Sequence, residues 1–167
     1  RLNPDRYGPA HMMSVNAATQ IYRSRERQTA ALANAHEATA AYLTDAAAGV
    51  EGAAMLLIDS LAQEGRTLAK MSRQREAVQY FTRALKYLAK LQPDFGLQHL
   101  ELSIDLGEAL LEVKATREKG VHLLNTMLHK ATKLNADDQH RRIVEILYNA
   151  KHGSIDILSF WHKLFPR

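Results

Sequence analysis

Apolar residues return every three and four positions along most of the chain, the period of an α-helix with one face turned inward. The clearest stretch runs over 53–70, where Met55, Leu56, Ile58, Leu61, Gly65, Leu68 and Ala69 recur at that spacing. The next, over 73–91, carries Ala77, Tyr80, Phe81, Ala84, Leu85, Leu88 and Leu91. Ser72 precedes it as the expected N-cap, because its hydroxyl can accept from a free backbone N–H. Pro93 ends it, since proline lacks an N–H and restricts Gln92 before it. A fourth helix is expected over 96–113, with Leu100, Ile104, Gly107, Leu110 and Leu111 on one side. A short turn over 114–116, with Thr116 as cap, leads to a fifth helix carrying Val121, Leu124, Met127, Leu128 and Ala131. Asn135 is its expected stop. Asp137 or Asp138 then opens a sixth helix through Ile143, Ile146, Leu147 and Ala150, and Gly153 breaks it. A short terminal helix over 155–165 follows, capped by Ser154 and stopped by Pro166.

The pattern over 14–45 is shallower. Ala17, Ile21, Leu32, Ala35, Thr39, Tyr42 and Leu43 keep a helical spacing, but alanines fill the positions between and the run 23–27 is charged. Alanine is the best helix former, so one long helix or two abutting ones are expected, ending where Gly49 and Gly52 weaken the chain. Nowhere does a period of two persist long enough for a convincing strand. Helices joined by such short turns lie antiparallel to their neighbours. The expected fold is therefore all-α, antiparallel helical hairpins stacked as an array of about seven helices. Residues 14–167 form one domain, and 1–13 are an extension. Gly8-Pro9-Ala10-His11-Met12 has the look of a protease and cloning scar ahead of Met13. An ordinary native N-terminal segment is the other reading.

Composition changes this picture little. Hydrophobic residues make up 46% and charged residues 24%, as in globular domains. The net charge of +4 arises from 22 basic against 18 acidic residues, with no concentrated basic stripe, which disfavours nucleic acid as a partner. The absence of cysteine excludes disulfides, thiolate metal sites and thiol nucleophiles, and fits a cytosolic or organelle-matrix protein. No apolar run reaches the length of a membrane span, and no signal sequence is visible.

A repeat runs through the helices. Gly65 and Gly107 stand 42 residues apart. Ala77, Phe81 and Ala84 follow the first, and Gly120, Leu124 and Met127 follow the second, each shifted by one residue. The physical reason is close packing. A glycine lets the second helix cross tightly, a small residue receives that contact, and a bulky one fills the adjoining gap. Leu61, Gly65 and Leu68 followed by Ala77, Phe81 and Ala84 resemble a tetratricopeptide repeat. The likeness is good over 55–93, fair over 97–135 and weak elsewhere. The usual repeat is 34 residues, so the longer spacing is similar to the long-helix branch seen in kinesin light chain-like repeats. Ser103 departs from the family pattern, which favours a bulky residue there. A weaker resemblance, over 53–91, is to a microtubule-interacting-and-transport three-helix bundle. The tetratricopeptide resemblance implies a right-handed array with hairpins at 53–92 and 96–135 and capping helices over 138–165.

It also implies a function. First helices of such hairpins line a concave groove, here at Asp59, Ala62, Gln63, Arg66 and Lys70, then at Glu101, Ile104, Asp105, Glu108 and Leu111. The same positions also suit a merely solvated face. As a groove, Arg66 and Lys70 would select acidic groups and Asp105 and Glu108 basic ones. The acidic second repeat disfavours capture of a C-terminal carboxylate. The expected function is a protein–protein interaction module, an adaptor or scaffold holding a partner's peptide or helix. If residues 1–7 are a fused ligand peptide, they are expected in the groove near Arg66. The apolar terminal segment with Phe160, Trp161 and Phe165 suits a capping helix. It also suits a docking patch for a larger assembly or a second copy. Eight histidines suggest metal, but no two lie four apart on one helix. His36-Glu37 lacks the second histidine of a zinc-protease motif, with Ala40 in its place. His122 and His129 are about 10 Å apart along a helix, too far for one zinc. Exposed or capping histidines, no metal, no cofactor and no catalytic residues are expected.

Overall fold

The computed structural model describes residues 9–152, and side chains from Ser24 onward. Six α-helices follow in order: α1 Pro9–Ala47, α2 Ala53–Lys70, α3 Gln74–Leu91, α4 Leu97–Glu112, α5 Arg117–Lys133 and α6 Asp137–His152. A single 3₁₀ turn, Lys114–Thr116, joins α4 to α5. No strand occurs among the described residues. Each helix packs on the one before it, and α4 also touches α2 and α6. The chain is thus an all-α array of helical hairpins. The terminal helix expected over 155–165 lies outside the described residues, as does the segment 1–8.

The first stretch forms one helix rather than two. Its alanine-rich face suits close approach to α2, where Ser60 Oγ donates to the Ala35 carbonyl at 3.1 Å. That commits the one Ser60 hydroxyl proton, so Thr39 donates to Ser60 across 2.9 Å. The interface is held by small residues and hydroxyls, which explains its weak apolar periodicity in the sequence. Gly49 and Gly52 then turn the chain with φ of 77° and 75°, a region that favours glycine.

The repeat glycines do what their spacing predicts. A Cβ on Gly65 would stand 2.7 Å from the Phe81 ring, and one on Gly107 the same distance from Leu124. A Cβ on Gly120 would meet the Gly107 carbonyl oxygen at 2.8 Å. Two cores result. One gathers Leu57, Leu61, Leu68, Phe81 and Leu88 between α2 and α3. The other gathers Leu100, Ile104, Leu111, Leu124 and Ile143 between α4, α5 and α6.

Two expected caps act differently. Ser72 does not cap α3. It takes φ 60° after α2, and its N–H donates to Ala69 while the Arg73 N–H reaches back to the Leu68 carbonyl at 2.9 Å. That pair of bonds closes α2 as a Schellman motif. Asn135 closes α5 in the same way, with φ 53° and the Ala136 N–H on the Ala131 carbonyl at 3.0 Å. The Thr116 hydroxyl donates backward to Leu110 and Val113 carbonyls instead of accepting from α5. Leu91, expected on the inner face of α3, is 46% exposed at the helix end.

Candidate functional site

A concavity of about 740 Å³ opens over α2, α4 and α6. From α2 come Arg66, Ala69 and Lys70. From α4 come Glu101, Asp105, Glu108, Ala109 and Glu112, and from α6 Asp138, Gln139 and Arg142. Gln74 and Phe81 of α3 complete the lining. The three main walls are alternate helices, because α3 and α5 lie behind them and hold them side by side.

Five of the residues expected in a groove, Arg66, Lys70, Glu101, Asp105 and Glu108, are brought together here. Asp59 and Gln63 are not among the lining residues. Asp59 accepts a hydrogen bond from Gln98 at 3.2 Å, and Gln63 is exposed. Ala62, Ile104 and Leu111, also expected along the groove, are buried at 3%, 0% and 4% exposure and belong to the cores. Both α2 and α4 have helices on two sides, so a face that helical periodicity leaves open is covered. The patch of Phe160, Trp161 and Phe165 lies outside the described residues.

Asp105 is the structural centre of the groove. Its side chain is 5% exposed. Arg66 Nε donates to its Oδ2 at 2.8 Å, and Arg142 Nη2 donates to its Oδ1 at 2.7 Å. Arg142 also donates to Glu108 Oε2 at 2.9 Å. Burial works against the charge of Arg142, but Asp105 and Glu108 outweigh it and hold the guanidinium above its ordinary pKa. One carboxylate therefore ties α2, α4 and α6 together beneath the hollow. Arg66 and Asp105, read from the sequence as separate selectors of opposite charge, are each other's partners. Arg142 had no part in that reading, and its distance of 37 residues from Asp105 hides the pairing from any local spacing rule.

The rim is less satisfied. Among the described residues Glu101 accepts only an amide hydrogen bond, from Gln139 at 3.2 Å. Glu112 and Lys70 are exposed. Gln74 donates to the Ala69 carbonyl, while its own buried Oε1 receives no donor among the described residues.

Other polar clusters lie elsewhere. Glu64, fully buried in α2, faces His36 Nδ1 at 3.2 Å. Tyr80 lies against it, and burial followed by Glu64 raises the Tyr80 pKa. His99 departs from the expectation of exposed or capping histidines. It is buried, its ring centroid lies 5.4 Å from that of Phe95 with the rings tilted by 32°, and its Nδ1 has no partner among the described residues. Lys130 Nζ sits 3.6 Å from the Phe95 ring centroid on the same side of the array. Among the described residues no three His, Asp or Glu side chains are arranged to hold a metal ion, and no helix is long and apolar enough to cross a membrane. No family model matches the chain, and neither a curated protein nor a solved structure does.

Proposed function

We propose that this chain is a protein-interaction module of tetratricopeptide-like hairpins that holds a partner's peptide or helix in the groove over α2, α4 and α6. The observation that carries the reading is the lining of the groove. Most of it is supplied by α2 and α4, the first members of the two hairpins that the resemblance implies, and by α6 beside them. The residues beneath it are rigidly tied through Asp105, while the charges at its rim face solvent. A preformed concave surface with a fixed floor and free polar edges suits recognition of an elongated ligand. Binding rather than catalysis is the reading because the charged groups on the groove's floor, Arg66, Asp105, Glu108 and Arg142, engage one another as ion pairs. No nucleophile beside a base is found among them.

The test is selection of ligands from a displayed random-peptide library, followed by charge reversal at the exposed rim. Glu101→Lys with Glu112→Lys, both exposed on α4, is expected to weaken binding of the selected peptides by tenfold or more, about two exposed charge pairs, and leave the helical circular dichroism unchanged. Glu118→Lys, at the exposed start of α5, is expected to change nothing. Peptides that bind the double variant as well as the parent protein would refute the groove. Arg66 is unsuitable for this test, because a glutamate there would face buried Asp105 and endanger the fold.

A further inference from the structure

The groove is not electrically balanced. Three cations, Arg66, Lys70 and Arg142, face five anions, Glu101, Asp105, Glu108, Glu112 and Asp138. The internal pairs remove most of the positive charge from consideration. Arg66 and Arg142 are both spent on Asp105, and Arg142 also on Glu108. Asp138 is held by Arg141. Glu101, Glu112 and Lys70 remain without an ion-pair partner among the described residues.

Position along α4 sharpens this imbalance. Glu101, Asp105, Glu108 and Glu112 follow one another by four, three and four residues, so they form a single stripe down one helix face. Its middle two members are paired and its two ends are not. The ends are about 16 Å apart by helical rise. A second observation is independent of the carboxylates. Gln74, half-buried in the groove lining, has an enclosed Oε1 with no donor among the described residues, and an acceptor left so is costly. Lys70 apart, the groups of the lining left unmatched among the described residues are acceptors.

We infer that the groove takes a basic segment of a protein partner, laid along α4, with lysine or arginine side chains reaching Glu101 at one end and Glu112 at the other. This rests on the groove reading above and names the partner's chemistry. A span of about 16 Å corresponds to roughly eleven residues of a helix or about five of an extended strand. Acidic peptides and nucleic acids are disfavoured by the same stripe. Lys70, a cation of the lining left unmatched among the described residues, works against such a ligand.

The cysteine-free chain allows a direct test. Gln139→Cys carries one environment-sensitive fluorophore in the groove, and Gln79→Cys carries one on exposed α3 outside it. Three 18-residue helical peptides share the same apolar residues and bear lysine, glutamine or glutamate at every polar position. The lysine peptide is expected to shift the dye at position 139, not at 79, and to bind more weakly as salt rises. Glu101→Gln and Glu112→Gln should each weaken it by about threefold to fivefold, the scale of one exposed charge pair. Lys70→Gln should tighten it. If the glutamine or glutamate peptide shifts the dye at position 139 at equal or lower concentration, the groove stands and the basic partner is wrong. Indifference of the lysine peptide to both glutamine substitutions overturns the inference too. If no peptide moves the dye at position 139, both the groove and its proposed ligand fall.

Discussion

Asp105 shows how burial changes what a charged residue does. A carboxylate on an exposed groove wall is a recognition group. The same carboxylate at 5% side-chain exposure, gripped by two guanidinium groups, is a structural tie. Asp105→Ala is expected to cost about 2–3 kcal/mol, because the arginines it leaves are nearly half exposed and can recover water. Arg66→Ala leaves Asp105 still bound to Arg142 and should cost only about 1 kcal/mol. Urea unfolding of the two variants checks the order, and equal costs would contradict the tie. His99 makes a different residue-level case. Burial first, and the positive charge of Lys130 second, hold its imidazole below the ordinary pKa. In the unfolded chain it protonates near pH 6.5 or so, and in the folded chain only at lower pH. Between those two values the unfolded state binds more protons, so stability must fall as the pH drops through that window. His99→Phe removes the titrating group. The parent protein should therefore lose more stability between pH 7 and pH 5 than this variant, read as the shift in urea midpoint.

At the scale of the element, helix–helix approach is set by three glycines whose roles the sequence displays unequally. Gly65 and Gly107 are legible because a bulky residue follows each at a matched distance, and those residues, Phe81 and Leu124, are their contacts. Gly120 differs in what it touches. Alanine at 65 or 107 would press on a buried side chain that can shift a little. At 120 it would press on the Gly107 carbonyl oxygen at 2.8 Å and the Leu111 nitrogen at 2.9 Å, which are backbone. Gly120→Ala should therefore destabilise more than Gly107→Ala. Overpacking costs about 1–3 kcal/mol, while alanine regains about 1 kcal/mol in helix propensity, so the net loss at Gly107 is small and at Gly120 is not. Thermal melts of the two variants test the order. The caps were less legible. A serine before an amphipathic run signals an N-cap, yet the left-handed turn at Ser72 is fixed by how α3 must fold back on α2. Ser72→Gly should relieve that backbone strain and stabilise by roughly 0.5–1 kcal/mol.

At the scale of the whole molecule, helix existence and order were written in the periodicity. What escaped was mutual cover. Local pattern cannot tell that α4 is buried on nearly every side, or that Arg142 arrives from α6 to meet Asp105. The same feature makes α4 the element that couples the array. Leu102 and Ala109 of α4 belong to the first core, whereas Leu100, Ile104 and Leu111 belong to the second. In stacked helical arrays stability is close to a sum of unit and nearest-neighbour terms, so damage should spread only through a shared element. Ile143→Ala, in α6 and fully buried, empties part of the second core and should cost about 2–4 kcal/mol. Native-state hydrogen exchange of that variant is expected to speed strongly in α5 and α6. It should speed less in α4, which the first core still holds, and least in α2 and α3. Leu102→Ala loosens the first core's hold on α4, so combined with Ile143→Ala it should bring α4 to the exchange rate of α5. Uniform acceleration across all helices in Ile143→Ala alone would mean that the array opens only as one unit, and that α4 does not divide it.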